Sequence, residues 1–250
     1  MEFTTDIQIS NKTEQSRVKV WYMFNRIAER YDMLNHLLSF GQDILWRRKV
    51  AGFIHNTPNQ HILDLATGTG DQIITLVKNR KNITYALGID MAENMVQVAQ
   101  HKVNRKNLKQ IIELRQGNAS RIECSDNTFD TVTISFGIRN FELLKKSLQE
   151  VLRVLKPGGR LIVLEFSIPQ NVFIKKIYLL YLRKILPFMG SLISGDRIAY
   201  RYLNHTVESF LWGRNFLKLF SEAGFYSCGF VPLTFGIATI YYADKQILQE

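Results

Sequence analysis

The chain has 250 residues, 46% of them hydrophobic and 22% charged, enough for one globular domain that buries a core without staples. Its two cysteines, Cys124 and Cys228, have no Cys or His at ligand spacing, which argues against a disulfide framework or a zinc site and for a reducing compartment. The formal charge of +10 leaves three partner classes open: nucleic acid, an anionic membrane surface or an acidic substrate.

Residues 1–16 are polar, contain acids, and read as a loosely attached arm, not a signal peptide. No apolar run approaches the roughly 20 residues that span a bilayer. Residues 17–55 read as a helical cap, with Val20, Tyr22, Met23, Ile27, Tyr31 and Leu34 near helical spacing. From residue 61, strands at 61–66, 83–89, 111–116, 130–135 and 160–166 alternate with helices at 71–80, 92–105 and 142–155. Such alternation predicts a parallel sheet with helices on both faces. The tetrad Lys156–Gly159, KPGG, is expected to end a helix and turn into a strand. Residues 171–212 interrupt the pattern with basic, apolar helices. A helix at 214–223 capped by Gly224 follows, then strands at 226–233 and 237–243 joined by the turn TFG, an antiparallel pair. The expectation is a single domain over 1–250: arm 1–16, cap 17–55, core 61–170, helical insertion 171–212, and a C-terminal helix and hairpin at 213–250. No internal repeat is visible.

The run Ile62–Asp71, ILDLATGTGD, carries the first chemical signal. An apolar strand enters a turn with Gly68 and Gly70, where backbone can approach a ligand, and a helix start supplies free N–H groups. A second strand ends in GID at Asp90, twenty positions after Gly70, where a carboxylate can accept from both ribose hydroxyls. Dinucleotides and S-adenosylmethionine (SAM) both use this layout. The dinucleotide pattern G-x-G-x-x-G wants a third glycine, and Ile73 stands there. Asp64 instead completes D-x-x-x-G-x-G, the SAM pattern. The structural alternative is a plain tight turn between strand and helix.

Three further segments carry a resemblance: YDMLNHLLSFGQDILW at Tyr31–Trp46, TISFGIRN at Thr133–Asn140, and RVLKPGGRLIVLEFS at Arg153–Ser167. With DLATGTGD they resemble the class I SAM-dependent C-methyltransferases of menaquinone and ubiquinone biosynthesis, over about residues 20 to 245. The first segment departs twice, with Leu34 where the family usually has Met and Asp43 where it often has His. The loop TGTGD and the ending TFGIATIYYADK look most like the menaquinone branch of Bacteroidetes-type bacteria. The resemblance implies an α/β, Rossmann-like fold: a seven-stranded, mostly parallel sheet with an antiparallel C-terminal hairpin. It implies SAM as cofactor, no metal, and C-methylation of polyprenylated demethylmenaquinol to menaquinol. A ubiquinone precursor, 2-methoxy-6-polyprenyl-1,4-benzoquinol, is the alternative acceptor. For SAM it implies Asp64, Gly68, Thr69 and Gly70 at the methionine end, Asp90 with Met91 at the ribose, Asn118 and Ala119 at the adenine, and Ser135 below the sulfonium. Ordinary turns and strand-end bonding are the structural alternatives for Asn118, Ala119 and Ser135.

The acceptor would be a ring carbon, a weak nucleophile until a ring hydroxyl ionises. The site then needs a base or a positioned water, and a cationic donor for the developing phenolate. The resemblance puts Arg139 and Asn140 there. Arginine stays protonated, so electrostatic stabilisation suits Arg139 better than proton abstraction. Alternatively, Arg139 pairs with a carboxylate and Asn140 caps the helix near Phe141. Tyr31, Asp32, His36 and His205 are the other candidates for proton transfer.

Residues 171–203 hold Lys175, Lys176, Arg183, Lys184, Arg197 and Arg201 against Asp196, a net +5, interleaved with aliphatic and aromatic residues. A basic, aromatic amphipathic helix binds membrane interfaces; a sheet-packed helix with solvated lysines is the alternative. The expected place of work is the cytoplasm, at the inner face of the membrane, with residues 171–203 in contact. Trp21–Leu45 and Trp46 are expected to roof the acceptor pocket. An RNA or DNA methyltransferase is the remaining reading of the charge. SFGIRN stands where base-flipping amino-methyltransferases carry N/D-P-P-Y/F, and neither Cys sits where a cytosine C5 enzyme needs its nucleophile. No nucleic-acid partner is expected. The oligomeric state is left open, a homodimer being one option.

Overall fold

The computed structural model describes residues 14–188 and 197–247. Helix α1 (Glu14–Leu38) and helix α2 (Gln42–Ala51) form the N-terminal cap. Residues 1–13 of the expected arm lie outside the described residues, and 14–16 open α1. The expected helical run 17–55 breaks at Gly41, whose φ of 71° is left-handed and ends one helix before the next begins.

The core follows as β1 (Gln60–Leu65), α3 (Asp71–Asn79), β2 (Ile83–Asp90), α4 (Glu93–Arg105), β3 (Ile112–Gln116), β4 (Phe129–Ser135), α5 (Leu144–Val154) and β5 (Leu155–Phe166). Helix α6 (Val172–Leu180) and a π-turn at Tyr181–Ile185 come next, then α7 (Arg197–Ser209), α8 (Arg214–Glu222), β6 (Tyr226–Leu233) and β7 (Ala238–Asp244). The strand order is β3-β2-β1-β4-β5-β7-β6, parallel from β3 to β5. β7 pairs antiparallel with both β5 and β6.

The sheet is apolar on both faces because side chains alternate along each strand. Leu63, Val132, Ile134, Leu161, Val163 and Tyr241 pack under α5 and α8, with Val151, Phe216 and Phe220. Ile62, Ile162, Leu164 and Ile240 face α2, α3 and α4, with Val50, Ile73, Leu76 and Val103. Ile73, the residue in place of a third glycine, is fully buried in that second layer.

KPGG departs from expectation. Helix α5 ends at Val154 and the strand begins at once, so Lys156–Gly159 lies inside β5. The reason is a partner far along the chain: Gly158 N–H donates to the Lys245 carbonyl and Lys245 N–H to the Gly159 carbonyl. The chain order reverses between β1 and β4, each with its outer neighbour on the opposite side. Loops diverge at their carboxyl ends and leave a crevice, the usual ligand position in open α/β sheets.

Candidate active site

The loop after β1 is shaped by left-handed backbone at Ala66, Gly68 and Gly70, with φ of 52°, 55° and 80°. A Cβ on Gly68 would meet nothing within 4 Å, so that face of the turn is open to a ligand. The neighbouring loop after β4 presses against it. A Cβ on Gly137 would come within 2.4 Å of the Ala66 Cβ, which explains the glycine of SFGIRN by close approach.

Asp64 supports the loop from beneath. Its carboxylate, 1% exposed, accepts from Thr133 Oγ1 at 2.5 Å and Thr67 Oγ1 at 2.6 Å. Burial pushes its carboxyl up to about 6, above an unfolded value of about 3.9. Between about pH 4 and 6 the unfolded chain releases this proton while the native state keeps it. This group's contribution to stability is therefore full below pH 4 and falls by about 2–3 kcal/mol as pH rises through that window. In urea titrations the Asp64→Asn variant is expected to lack that fall. A wild-type-minus-variant difference that stays constant from pH 4 to 7 would contradict it.

Asp90 keeps some accessible surface at the end of β2. It accepts from Gly68 N–H at 2.8 Å and Ala92 N–H at 2.9 Å, so it ties the glycine loop to the start of α4. Burial nevertheless raises its carboxyl above the usual range. Met91 beside it is exposed. Thr69 is buried, and its hydroxyl donates to Asp32 of α1. Lys102 of α4 bridges Asp32 and Asp71 at 2.5 Å each. With Asn25 accepting from Asn94 N–H, these contacts seat α1 on α4, around Ala28, Ala92 and Met95. Asn118 is exposed and uses its Oδ1 to accept from Ser120 N–H and Oγ, a local turn that places Ala119. Ser135 is buried and donates to Gln72 Oε1 at 3.0 Å.

Beside these loops lies a cavity of about 410 Å³. Its roof comes from the cap: Met23, Phe24, Ile27, Tyr31, Leu38 and Trp46. Its far wall comes from α6 and the π-turn, with Ile174, Tyr178, Tyr181 and Leu182, and from Tyr202, Leu203 and Val207 of α7. Phe136, Arg139 and Phe166 make the floor. The cap does roof the cavity, because Trp46 donates to Thr234 Oγ1 at 2.8 Å and stacks edge-on to Phe166.

Arg139 reaches this floor from the short 3-10 turn Ile138–Asn140. Its Nη1 donates to Glu165 Oε1 at 2.5 Å and to the Phe136 carbonyl at 2.6 Å, and its guanidinium lies over the Phe166 ring. The carboxylate pairing is thus present. Asn140 accepts from the Tyr202 hydroxyl at 2.9 Å, and α5 begins later without a side-chain cap, so Asn140 is not an N-cap. Tyr31 is on the cavity wall, with its hydroxyl shifted upward by burial. The other three proton-transfer candidates are not on the wall. Asp32 is engaged with Thr69 and Lys102, His205 is exposed, and His36 Nδ1 sits 2.7 Å from Asp43 Oδ2. That last contact gives the Asp43 departure a structural meaning. Asp43 is buried, accepts from Ser39, pairs with His36, and so joins α1 to α2.

Sequence reasoning passed over Glu165 and Tyr178. Glu165 did leave a signal: a lone acid inside the apolar run RLIVLEFS, which a buried strand tolerates only with a partner.

A family model described as the ubiE/COQ5 methyltransferase family matches residues 11–245. The chain belongs to that family. It is therefore a SAM-dependent methyltransferase with the class I fold. A demethylmenaquinone methyltransferase of Bacteroides fragilis is 40% identical over 236 residues, covering 94% of this chain and 96% of the relative. A ubiquinone/menaquinone biosynthesis C-methyltransferase, UbiE, of Geotalea daltonii is 39% identical over 234 residues, covering 94% and 99%. Among solved structures, a SAM-dependent methyltransferase of Thermotoga maritima superimposes with a TM-score of 0.63 at 18% identity, over 90% of this chain and all of that one, which shows the shared fold.

Proposed function

We propose that this family member methylates the ring carbon of a polyprenylated demethylmenaquinol, giving menaquinol. The observation that carries the reading is the cavity. It is largely apolar, lies against the donor loops, and holds its charge in two buried pairs, Arg139 with Glu165 behind it and Asp43 with Arg47. A naphthoquinol with an apolar tail has the same distribution, polar at the ring oxygens and apolar elsewhere. The Bacteroides fragilis relative supports the naphthoquinol over a benzoquinol. The Geotalea daltonii relative, named for both quinones, keeps the benzoquinol precursor as the competing acceptor.

The residues fit SAM. The open face at Gly68, followed by Thr69 and by Gly70 where the turn packs closely on Ala99, suits the methionine end. Asp90 has lone pairs beyond those used by Gly68 and Ala92, enough to accept ribose hydroxyls. Met91 offers an exposed apolar side chain beside it, Asn118 and Ala119 shape the adenine edge, and Ser135 closes the floor between donor and acceptor. SAM supplies the methyl group on a sulfonium. Arg139 faces the quinol oxygen with a fixed positive charge, Tyr31 holds the ring's orientation, Asn140 braces Tyr202 of the cavity wall from behind, and the apolar walls exclude water.

The test is direct. Purified protein with labelled SAM is expected to label demethylmenaquinol in preference to the benzoquinol precursor and to leave RNA unlabelled. Quinones from cells lacking the protein are expected to show the demethylated species by mass spectrometry. Labelled RNA with unlabelled quinols would overturn the proposal.

The same geometry supports a membrane-surface location. Among the described residues, no helix is long and apolar enough to cross a bilayer. Helix α6 carries apolar residues inward and outward: Ile174, Ile177 and Tyr178 line the cavity, while Val172, Phe173 at 72% exposure and Leu180 are exposed. Phe40 at 77% and Phe235 at 78% exposure flank the same opening. Apolar side chains exposed beside lysines on one helix suit a membrane interface. Lys175, Lys176 and Lys184 are exposed along it, whereas Arg183 pairs with Glu208. The side chains of Arg197 and Arg201, and all of Asp196, lie outside the described residues. At about 1 kcal/mol per lysine near an anionic surface, changing Lys175, Lys176 and Lys184 together to Glu is expected to weaken sedimentation with anionic vesicles about 100-fold or more. Unchanged sedimentation would sink this location.

A further inference from the structure

Three buried polar atoms around the Arg139 end of the cavity have no hydrogen-bond partner among the described residues: Arg139 Nε, Glu165 Oε2 and the Tyr178 hydroxyl. They form one cluster. Arg139 Nη1 bonds Glu165 Oε1, and Tyr178 lies within the electrostatic reach of both. The two oxygens of Glu165 differ sharply. Oε1 accepts from Arg139 Nη1 at 2.5 Å and from Phe166 N–H at 2.8 Å, and the Arg139 backbone N–H also lies near the carboxylate, while Oε2 has no partner at hydrogen-bond geometry among the described residues. Buried polar atoms are nearly always satisfied, so a bare carboxylate oxygen 1% exposed beside a ligand cavity points to a donor that arrives with the ligand. A quinol hydroxyl is such a donor.

Charge counting leads further. Arg139 and Glu165 form a neutral pair at rest. Ionising the quinol with the proton lost to solvent would leave an extra anion between apolar walls, at a large desolvation cost. Passing the proton to Glu165 leaves the number of charges unchanged. Arg139 then trades its carboxylate partner for the quinolate oxygen.

We infer that Glu165 is the proton acceptor for the quinol hydroxyl, working from behind Arg139 and reached past Tyr178. The inference rests on the quinol reading above. In the step, the quinol O–H bond breaks and the proton ends on Glu165 Oε2. A bridging water, where one intervenes, gives up one proton and takes one in. The electron pair stays on the quinol oxygen and delocalises onto the ring carbon to be methylated. The neutral carboxyl is the form that burial favours at this position. The groups facing Glu165 are Arg139 from the turn after β4, Tyr178 from α6 and Tyr241 from β7. Tyr31 of α1 faces Arg139 and Arg47. Burial raises all three phenols, so none competes as a base. Glu165 is the carboxylate that faces Arg139; Asp43, also on the cavity wall, is held by His36, Ser39 and Arg47, and Asp32 beside Tyr31 is held by Thr69 and Lys102.

Activity of the wild type on demethylmenaquinol comes first. If the wild type methylates no quinol, the substrate reading fails and takes this inference with it. Given an active wild type, Glu165→Gln is expected to lose about 100-fold or more in kcat, with S-adenosylhomocysteine affinity by calorimetry within about twofold. Its rate is expected to keep rising with pH as hydroxide replaces the carboxylate, whereas the wild-type rate falls on the acid side as Glu165 protonates and levels off above it. Glu165→Asp is expected to recover part of the rate. A second readout needs no turnover and no variant. Anaerobic wild-type complexes with S-adenosylhomocysteine and the quinol should show quinolate absorption at neutral pH. In infrared difference spectra they should show a new protonated-carboxyl band that shifts on ¹³C-glutamate labelling. An active wild type with no such band, or a folded Glu165→Gln with wild-type kcat and pH profile, overturns the inference.

Discussion

Replacing Asp90 with alanine is expected to weaken SAM binding by about 30- to 100-fold, measured by calorimetry on the purified protein. Two ribose hydroxyls donating to one carboxylate make charge-assisted bonds worth about 1.5–3 kcal/mol each in gross terms. Part of that is offset because the Asp90 oxygens are already shared with Gly68 N–H and Ala92 N–H. Loss of the Gly68 contact adds to the effect, since the glycine loop is then no longer tied to α4. Asp90→Asn separates the two contributions: it keeps a carbonyl acceptor for one backbone amide but not a charge for two hydroxyls. It is expected to fall between wild type and alanine. Wild-type affinity in Asp90→Ala would remove Asp90 from the donor site.

The second large effect is at Arg139, and it divides between stability and rate. Arg139 and Glu165 are 5% and 1% exposed in their side chains, so removing the arginine strands a buried acid. Breaking such a pair from one side costs about 3–5 kcal/mol. Arg139→Ala is expected to lose that much in urea unfolding at pH 7.5 and about 10²–10³ in kcat, the scale of a lost oxyanion donor. The double variant Arg139→Leu with Glu165→Leu discriminates between the effects. Two apolar side chains of suitable volume are expected to restore most of the stability, while the rate stays low. A single variant that loses less than about 1 kcal/mol would show that the pair is solvated rather than buried.

The elements that were legible share one property: their signal is local. The alternation of strands and helices from 61 onward shows because each strand carries its own apolar run and each turn its own glycine. Asp90 twenty positions after Gly70 shows because β2 follows β1 through a single helix. Where the reading slipped, the deciding contact came from far along the chain. KPGG joined the strand because Lys245 pairs with it. The break at Gly41 is held by Asp43 reaching back to His36 and Ser39.

The acceptor half follows the same division. Arg139 could be singled out from SFGIRN, yet its partner lies 26 residues later, on the adjacent strand β5. Glu165 in RLIVLEFS looked like part of a family signature, and only the pairing of β4 with β5, which ends at Ser135 and Leu164, brings it beside the turn that carries Arg139. The apolar character of α6 was plain from composition, but which side chains line the cavity and which face outward depends on the packing of α6 against the cap and α7. The sequence alone determined the sheet, the glycine loop and the acidic strand end, because short-range periodicity and turn chemistry specify them. The tertiary structure decided the cavity, the buried Arg139–Glu165 pair and the orphaned oxygen beside it. Those depend on desolvation and on distances between segments remote in the chain, which no local pattern encodes.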